Sequence, residues 1–295
     1  MKISILIPIF NFDVRELVEE LFSQSKDAHD LKDFEILLFD DGSSDKFKNA
    51  DLAKDKILYK EFSENQGRSR IRNLLAEAAQ FEALLYLDCD SRIDKQDFIK
   101  AYVQNFQEGS VVYGGRTYDQ NPPEAAYFLR WKYGVEREII PADIRIQNPY
   151  QSFMTNNFLI DRKVFLDIKL DENLVGYGHE DTLLGMELKK REIPIIHIDN
   201  PAVHIGLETK EEFLSKTKEG IRNLLVLQRE GKLNCKEVKL LRYHKIFSKF
   251  PIKGIFKAYY KRKEKSIEQD LNSDQVSIRY FDLWKLNEIL KGPSA

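Results

Sequence analysis

The first third of the chain alternates short apolar runs with segments of helical periodicity. Four apolar runs of strand length lie at residues 3–9, 34–40, 57–62 and 83–88. Helical patterns follow three of them, at residues 14–22, 68–80 and 95–106. Such alternation predicts an α/β fold in which a mostly parallel sheet is covered by helices on both faces. In open sheets of this kind, ligands bind in the crevice beyond the carboxyl ends of the strands.

The rest of the chain divides into two further regions. Residues 116–210 are less regular and richer in aromatic and amide side chains, and they predict a second half packed on the same sheet. After that the pattern is helical to the end, with a weak break near Gly231. We therefore predict three regions, which are residues 1–115, residues 116–210 and a helical appendage at 211–295.

Charge and cysteine content limit the cellular setting. The chain has 46 Lys and Arg against 48 Asp and Glu, and this near balance argues against nucleic acid as a partner. Two cysteines are too few for a disulfide framework, and the start of the chain lacks a signal-peptide pattern. We therefore expect a cytoplasmic protein. Since no window reaches the ~20 apolar residues that cross a bilayer, any membrane contact is expected to be peripheral.

Pairs of aspartates follow two of the predicted strands. Asp88 and Asp90, separated by Cys89, come directly after the fourth run, and two such carboxylates suit Mg²⁺ or Mn²⁺. Asp40 and Asp41 follow the second run, where carboxylates can accept hydrogen bonds from the N–H groups of a nucleobase. Both pairs have a structural alternative, because aspartates also cap the helices that follow such turns.

Charged residues also mark the starts of two predicted helices. Arg68 and Arg72 lie one turn apart near a helix N-terminus, where guanidinium groups bind phosphate or base carbonyls. Glu180 and Asp181 open another helix, where an aspartate beside a cleft can act as a general base. The alternatives are a solvated arginine face paired to acids and a simple helix-dipole effect of the two carboxylates.

A single histidine follows the last predicted strand. His204 lies at a strand end in the segment Val203-His204-Ile205-Gly206, where an imidazole could complete a metal site begun by Asp90. Most lone histidines are not ligands. We therefore assign no ligand role to the other four, which are His29, His179, His197 and His244.

These motifs occur together in the order typical of one enzyme family. They are PIFN at 8–11, DDGSSD at 40–45, NQGRSRIRN at 65–73, the Asp-x-Asp at 88–90, TNNFLI at 155–160, Glu180 with Asp181, and His204. The chain resembles a family 2 glycosyltransferase with the GT-A fold over residues 3 to about 206. The stretch from Asn156 to Asp181 also resembles the acceptor-side half of inverting galactosyl- and N-acetylhexosaminyl-transferases.

The resemblance implies a donor site for a UDP-sugar in residues 1–115. It places Phe10, Asp40 or Asp41, and Arg72 around the uracil, and it brings Pro8 and Arg68 into the same donor-binding set. Phe10 stands where a tyrosine is commoner, so ring stacking is kept and a phenolic hydrogen bond is lost. Asp88 would approach the ribose, a metal-bound water or the metal itself.

The resemblance also implies a metal and an acceptor side. Asp90 and His204 would bind Mn²⁺ or Mg²⁺. Asp181 would be the base in residues 116–210, with Glu180 as its catalytic partner. Glu180 or the amides of Asn156 and Asn157 would hold sugar hydroxyls.

The reaction implied is an inverting, metal-dependent transfer in cell-envelope polysaccharide synthesis. A hexose or N-acetylhexosamine would move from the UDP-sugar to a glycan or glycolipid acceptor. A nucleotidyltransferase is disfavoured because no Gly-rich loop with a lysine follows the first run. A non-catalytic nucleotide-sugar-binding scaffold should have lost Asp90, Asp181 or His204, and the sequence keeps all three.

A strongly basic segment lies at residues 232–265. It carries twelve Lys or Arg and two Glu, and its lysines recur every fourth residue from Lys245 to Lys261 among aromatic and aliphatic residues. A basic amphipathic helix suits an anionic membrane surface, on the inner face if the protein is cytoplasmic. The alternative is a helix packed on protein, within this chain or in an oligomer, with its lysines solvated. Pro251 is expected to interrupt the helix.

Overall fold

The computed structural model describes residues 1–45, 47–174, 176–273 and 275–292. Residues in contact form two units. The sheet unit comprises residues 1–119, 139–174 and 180–206, and the helical unit comprises residues 120–138, 176–179 and the described residues from 207 onward. Residues 175, 274 and 293–295, which fall in the predicted second half and appendage, lie outside the described residues.

The strands, in chain order, are β1 Lys2–Ile9, β2 Asp33–Asp40, β3 Ile57–Glu61, β4 Ala83–Leu87, β5 Ser91–Arg92, β6 Val111–Tyr113, β7 Arg116–Thr117, β8 Asn157–Asp161, β9 Ile195–His197 and β10 Ala202–His204. The main sheet has the order β3-β2-β1-β4-β8-β6-β9, and β8 runs antiparallel to both of its neighbours. A second sheet has the order β5-β10-β7. The main sheet is therefore mostly parallel, as predicted.

The helices are α1 Arg15–Asp27, α2 Arg68–Ala78, α3 Phe98–Asn105, α4 Ala125–Arg137, α5 Ala142–Arg145, α6 Arg162–Ile168, α7 Glu180–Lys190, α8 Lys210–Arg229, α9 Lys239–Phe247, α10 Ile252–Leu271 and α11 Ile278–Lys291, with a 3₁₀ turn at Lys48–Leu52. In the sheet unit, α1 and α3 pack on one face of the main sheet, and α2, α6 and α7 pack on the other. The prediction of helices on both faces is confirmed.

The central strands form because their apolar runs are buried on both sides. Successive side chains of a strand point to opposite faces. Ile5 and Ile7 of β1 accordingly join the core under α1 and α3, while Leu6 joins the core under α2. Every residue of β4 is buried, which is typical of an interior strand.

The topology gathers the motif residues at one edge. Because β1 lies between β2 and β4 and runs parallel to both, the carboxyl ends of the three strands are neighbours. The second sheet adds the distant histidine to this edge. Antiparallel pairing of β10 with β5 sets His204 opposite Ser91, which is the residue after Asp90.

The helical unit contains α4 and α8 to α11. The side chains of Tyr133, Phe213, Phe281 and Trp284 form an aromatic cluster inside it, and Thr209 caps α8 through a capping box with Glu212. The predicted C-terminal helices are confirmed. The structure groups α4 with them, whereas our sequence division placed it in residues 116–210, and that division into functional regions stays a prediction.

Among the described residues, no helix combines the length and the apolar character needed to traverse a bilayer.

Candidate active site

Asp90 and His204 meet at the edge of the sheet unit. The imidazole Nδ1 lies 3.4 Å from Oδ1 of Asp90, and the backbone N–H of Ile205 donates to the carbonyl oxygen of Asp90 at 2.9 Å. Glycine at position 206 leaves room for the side chain of Asp90, because a Cβ at this position would lie 2.5 Å from the Cβ of Asp90 and 2.8 Å from its Oδ2. The two predicted metal ligands are thus adjacent, although 113 residues separate them in sequence.

Polar atoms of this pair are buried without hydrogen-bond partners. Within the described part of the chain, Oδ1 of Asp90 and Nδ1 of His204 have only their 3.4 Å approach to each other, and Nε2 of His204 makes no hydrogen bond. Buried polar atoms are normally satisfied, so such a group calls for a ligand or ion. One carboxylate and one imidazole fit a divalent cation such as Mn²⁺. The described residues hold no set of three or more such side chains, so water and phosphate oxygens would complete the coordination.

Asp88 lies between two arginines. Nη2 of Arg72 donates to Oδ1 of Asp88 at 2.5 Å, and Nη2 of Arg116 donates to Oδ2 at 3.2 Å. Arg72 is buried, and its Nη1 also donates to the carbonyl oxygen of Arg68. Because both carboxylate oxygens are engaged by guanidinium groups, Asp88 differs from Asp90, whose Oδ1 has no donor. This placement suits positioning of the two arginines better than direct ligation of a metal.

Glu180 and Asp181 open α7 in different environments. Glu180 is buried, and Nε of Arg68 donates to its Oε1 at 2.7 Å. Oδ1 of Asp181 accepts hydrogen bonds from the backbone N–H and the hydroxyl of Thr182 at 2.6 and 3.3 Å. The two adjacent carboxylates therefore differ: Glu180 is fixed in an ion pair with Arg68, and Asp181 accepts hydrogen bonds from Thr182.

The neighbouring charges shift the pKa values of the carboxylates at this edge in different directions. Burial alone would raise the pKa of Asp90, but His204, Arg116 and Arg68 overcome this and hold the pKa well below its usual range. Burial likewise opposes ionisation of Glu180, yet the charges of Arg68 and Arg72 lower its pKa. Burial and the negative charge of Glu180 raise the pKa of Asp181 to about 6. Arg68 acts on all three carboxylates, which places them in one electrostatic cluster.

The loops after β1 and β2 are tied together. Oδ1 of Asn11 accepts from the backbone N–H groups of Ser44 and Asp45, and the N–H of Asn11 donates to the hydroxyl of Ser43. Phe10, just before it, is 51% exposed, and Pro8 is half-buried near the end of β1. An exposed aromatic face beside this loop is available for stacking on a flat ring.

Asp40 and Asp41 both brace this loop system. Asp40 accepts from the backbone N–H of Ser43 at 2.8 Å and the hydroxyl of Tyr59 at 3.2 Å. Asp41 accepts from the N–H groups of Gln66 at 2.6 Å and Gly67 at 3.2 Å, directly before α2. These contacts agree with the capping alternative. Each carboxylate oxygen keeps a second lone pair, so the contacts leave room for a nucleobase N–H as well.

Asn156 and Asn157 are buried at the start of β8. The side-chain amide of Asn157 donates to the carbonyl oxygens of Gly115 and Asn200 at 3.0 and 2.9 Å, and its Oδ1 accepts from the hydroxyl of Tyr102 at 2.6 Å. Asn157 therefore fixes the loops that lead into β7 and β10, which carry Arg116 and His204. This differs from the expectation that both amides hold sugar hydroxyls, because an interior strand covered by α3 leaves Asn157 no exposed surface.

Replacing Asn157 by alanine is expected to lower the free energy of unfolding by about 3 kcal/mol, because two carbonyl groups and one hydroxyl lose their buried partner. Urea unfolding followed by circular dichroism measures the loss. Asn105→Ala, which removes a single hydrogen bond at the end of α3, serves as the matched control and should cost less than about 1 kcal/mol. Equal losses in the two variants would contradict the positioning role of Asn157.

Several residues of the site escaped the sequence analysis. Arg116 belongs to the charge cluster, and Arg145 donates to the carbonyl oxygens of Gly114 and Ile198 on the two loops that Asn157 also holds. Gly115 has a φ of +98°, which strains a residue with a side chain, and a Cβ there would also displace the guanidinium group of Arg145. The available signal was the run Gly114, Gly115, Arg116 directly after an apolar stretch, which marks a strand end like those after β1 and β4.

A cavity of about 930 Å³ lies in the sheet unit and is lined mainly by the loop after β1 and by α1. Its lining includes Ser91 and Ile205, the chain neighbours of Asp90 and His204, together with Asn11 and Phe12 from the loop after β1. The cavity thus reaches the chain neighbours of Asp90 and His204, while neither of these two side chains lines it.

Sequence comparison identifies the class of protein that this fold and edge define. The sequence model of the family described as Glycosyl transferase family 2 matches residues 4–168, more than half of the chain. The chain belongs to glycosyltransferase family 2. An uncharacterized glycosyltransferase of Rickettsia conorii is 30% identical over 128 residues, which are 43% of this chain and 20% of that protein. The chain thus spans about a fifth of the length of the curated relatives it matches.

Solved structures show the same fold. S. aureus TarS 1–349 in complex with UDP-GlcNAc is similar at a TM-score of 0.50 and 16% identity, covering 99% of this chain and 89% of that one. The mannosyltransferase PcManGT from Pyrobaculum calidifontis, in complex with GDP-Man and Mn²⁺, is similar at a TM-score of 0.54 and 11% identity, covering 99% and 88%. The predicted GT-A fold class is confirmed.

Proposed function

We propose that this protein transfers a hexose or N-acetylhexosamine from a UDP-sugar to a hydroxyl of a glycan or glycolipid, with inversion at the anomeric carbon. The observation that carries the proposal is the pair of Asp90 and His204, with buried unpartnered ligand atoms, in one charge cluster with Asp181. Membership of glycosyltransferase family 2 supports it.

The donor nucleotide is proposed to bind at the ends of β1, β2 and β4. Phe10 offers its exposed ring to the uracil, and Asp40 or Asp41 accepts a base N–H. Pro8, Arg68 and Arg72 belong to the same donor-binding set, and Asp88 holds Arg72 in place for it. Asp88 is also proposed to contact the ribose, because each of its oxygens accepts from one guanidinium group and keeps a second lone pair for a hydroxyl.

Asp90 and His204 are the residues that would hold a divalent cation. When bound, the cation supplies positive charge that stabilises the departing diphosphate. Mn²⁺ and Mg²⁺ both suit carboxylate ligands, and the imidazole nitrogen favours Mn²⁺ because Mg²⁺ prefers oxygen. The TarS and PcManGT complexes contain nucleotide sugars, and that of PcManGT also contains Mn²⁺.

Asp181 is proposed to remove the proton of the acceptor hydroxyl. A general base works best when its pKa lies near the working pH, and a pKa of about 6 leaves Asp181 ionised at neutral pH while keeping it basic enough to take a proton. Glu180 contributes by its charge, which raises the pKa of Asp181, and by fixing Arg68. One base suffices for a single displacement, unlike the two carboxylates of glycoside hydrolysis.

The rate should depend on pH through Asp181. We expect kcat/KM to rise with pH along an acid limb whose midpoint lies near 6, because only ionised Asp181 accepts the proton. Glu180→Gln removes the charge that raises this pKa, so its acid limb should shift to lower pH. Measured pH profiles of both proteins test this. A Glu180→Gln profile shifted upward, or a wild-type limb below pH 4, would contradict the assignment.

Release of UDP tests the activity. Purified protein is incubated with Mn²⁺, a panel of UDP-sugars and candidate acceptors, and GDP-mannose is included because PcManGT was solved with GDP-Man. We expect acceptor-dependent UDP release from a UDP-sugar. Protein that binds UDP by calorimetry but releases none with any acceptor would support the scaffold alternative, and release of pyrophosphate from a nucleoside triphosphate would support nucleotidyl transfer.

The cellular role is proposed to be the synthesis of a cell-envelope polysaccharide. A glycan or glycolipid acceptor at the inner face of the membrane would place the enzyme in the cytoplasm, with peripheral contact to the bilayer. Cell fractionation, with and without a salt wash, tests that localisation.

A further inference from the structure

Residues 239–271 form a helical hairpin, here called the basic hairpin. It consists of α9, a turn at residues 248–251 that contains Pro251, and α10. Lys, Arg and aromatic residues are concentrated in it, and nothing in the proposed chemistry of Asp181, Asp90 and His204 uses them. The hairpin belongs entirely to the helical unit.

One face of the basic hairpin is already packed. In α10 the buried residues are Phe256, Tyr260, Ile267 and Leu271, whose spacing of four, seven and four residues makes a single stripe. Leu241 of α9 is also buried, and the ring of Phe247 packs against that of Phe256. The buried stripe therefore agrees with the alternative of a helix packed on protein. That alternative does not explain the apolar side chains that remain exposed.

A second set of large apolar side chains is exposed. Phe250, in the turn, is 93% exposed, and Ile255 on α10 is 67% exposed. The other exposed members are Tyr243, Ile246, Ile252 and Tyr259. Tyr243 and Ile246 lie three residues apart on α9, and Ile255 and Tyr259 lie four apart on α10, so each pair shares a helix face. Leaving six such side chains in water costs hydrophobic free energy, which an apolar environment would recover.

Cations border these exposed side chains. Arg262 and Lys263 follow Tyr259 by three and four residues and share its side of α10. On α9, Nζ of Lys239 lies 5.9 Å from the ring centroid of Tyr243. The lysines that recur every fourth residue from Lys253 to Lys265 form a separate row on the opposite side of α10 from Ile255. Lys245 and Lys249 flank Phe250 on the α9 side. The basic hairpin carries ten Lys or Arg against three acidic residues, Glu264, Glu268 and Asp270, so it is strongly positive while the whole chain is close to neutral.

We propose that the basic hairpin docks on the surface of a bilayer containing anionic lipids, with Phe250 and Ile255 entering the interfacial layer and the neighbouring cations Lys249, Arg262 and Lys263 meeting lipid phosphates. Exposed apolar side chains among cations match the surface of an anionic bilayer, where a negatively charged headgroup layer covers an apolar acyl layer. A protein partner would need to match both features at fixed positions, whereas a fluid lipid surface adapts to them. This proposal does not depend on the proposed transfer reaction.

Vesicle flotation of the full chain tests the docking. We expect binding to phosphatidylcholine vesicles that contain phosphatidylglycerol, weak binding to pure phosphatidylcholine, and loss of binding at high salt because ionic strength screens the lysines. The double variants Phe250→Ser with Ile255→Ser, and Arg262→Glu with Lys263→Glu, should each lower the partition coefficient on the order of 10-fold or more.

Lys189→Glu with Lys190→Glu is the matched charge control, because both lysines are exposed on α7, outside the basic hairpin. It should bind vesicles like the wild type. Thermal unfolding by circular dichroism confirms that each variant is folded. Equal flotation of wild-type and hairpin variants, or no flotation of the wild type, overturns the proposal.

Fluorescence separates insertion from adsorption. Phe250→Trp should give a blue-shifted emission when anionic vesicles are added, while Leu58→Trp, at an exposed position on β3, should not. An unchanged Phe250→Trp spectrum overturns the proposal. So does a dimer in sedimentation equilibrium that the Phe250 and Ile255 substitutions dissociate while no vesicles bind, because a second copy of the chain would then be the partner.

Discussion

Replacing Asp181 by asparagine is expected to lower kcat by roughly 10²- to 10⁴-fold while leaving the dissociation constant for UDP nearly unchanged. Asparagine keeps the oxygen that accepts from the N–H and hydroxyl of Thr182, so the start of α7 should be preserved. It cannot take a proton from the acceptor. Turnover, measured by UDP release, should therefore fall, while the affinity for UDP, measured by calorimetry, should stay nearly unchanged.

The same substitution is expected to stabilise the protein above pH 6. The folded-state pKa of Asp181, about 6, lies above its ordinary value of 3.8, so the folded state holds its proton more tightly than the unfolded state. Stability is then lost as pH rises through that window, and the loss is complete above it. Asp181→Asn removes the titrating group, so it should raise the free energy of unfolding by about 1–3 kcal/mol at pH 8 and change it little near pH 4.

Glu187→Gln provides the control in the same helix. Glu187 lies at the other end of α7, where Lys190 and Arg191 are its partners, and its loss should change neither turnover nor the pH dependence of unfolding. An Asp181→Asn protein with wild-type turnover would remove Asp181 as the base. If Glu180→Gln then lost turnover, the base would be Glu180 instead.

The sequence predicted the parts of the fold that long patterns encode. β1, β2 and β4 are continuous apolar runs, and each is followed by polar residues, so the sheet and its functional edge could be read directly. The strands β5, β7 and β10 have only two or three residues, too few for any periodicity to appear. Their pairing decides which residues meet His204, and the structure alone supplies it.

The polar residues of the edge show a second limit of sequence reasoning. Asp88 and Asp90 are equivalent in the motif, but Arg72 and Arg116 engage Asp88 while Asp90 faces His204. The partner Arg116 comes from a distant loop that no local pattern connects to Asp88. The amide of Asn157 suits a sugar hydroxyl by its chemistry, but its burial follows from the interior position of β8, which depends on the strand order.

Replacing either Asp90 or His204 by alanine is expected to abolish Mn²⁺ binding in the concentration range where the wild type binds, a loss of roughly 100-fold or more in affinity. Each substitution removes one of the two buried ligand groups. The residue that remains offers only a single group to a cation. Calorimetric titration of Mn²⁺ with UDP present measures this without any turnover. UDP release should fall in parallel and should be restored in the wild type, after chelation, by Mn²⁺ more than by Mg²⁺.

The double variant decides whether the two residues act on one ion. If they do, Asp90→Ala with His204→Ala should bind Mn²⁺ no more weakly than either single variant, because the first substitution already removes the site. His29→Ala, at an exposed histidine in the loop before β2, is the control and should bind like the wild type. Mn²⁺ binding that persists in the double variant would locate the ion elsewhere and remove the observation on which the proposed transfer depends.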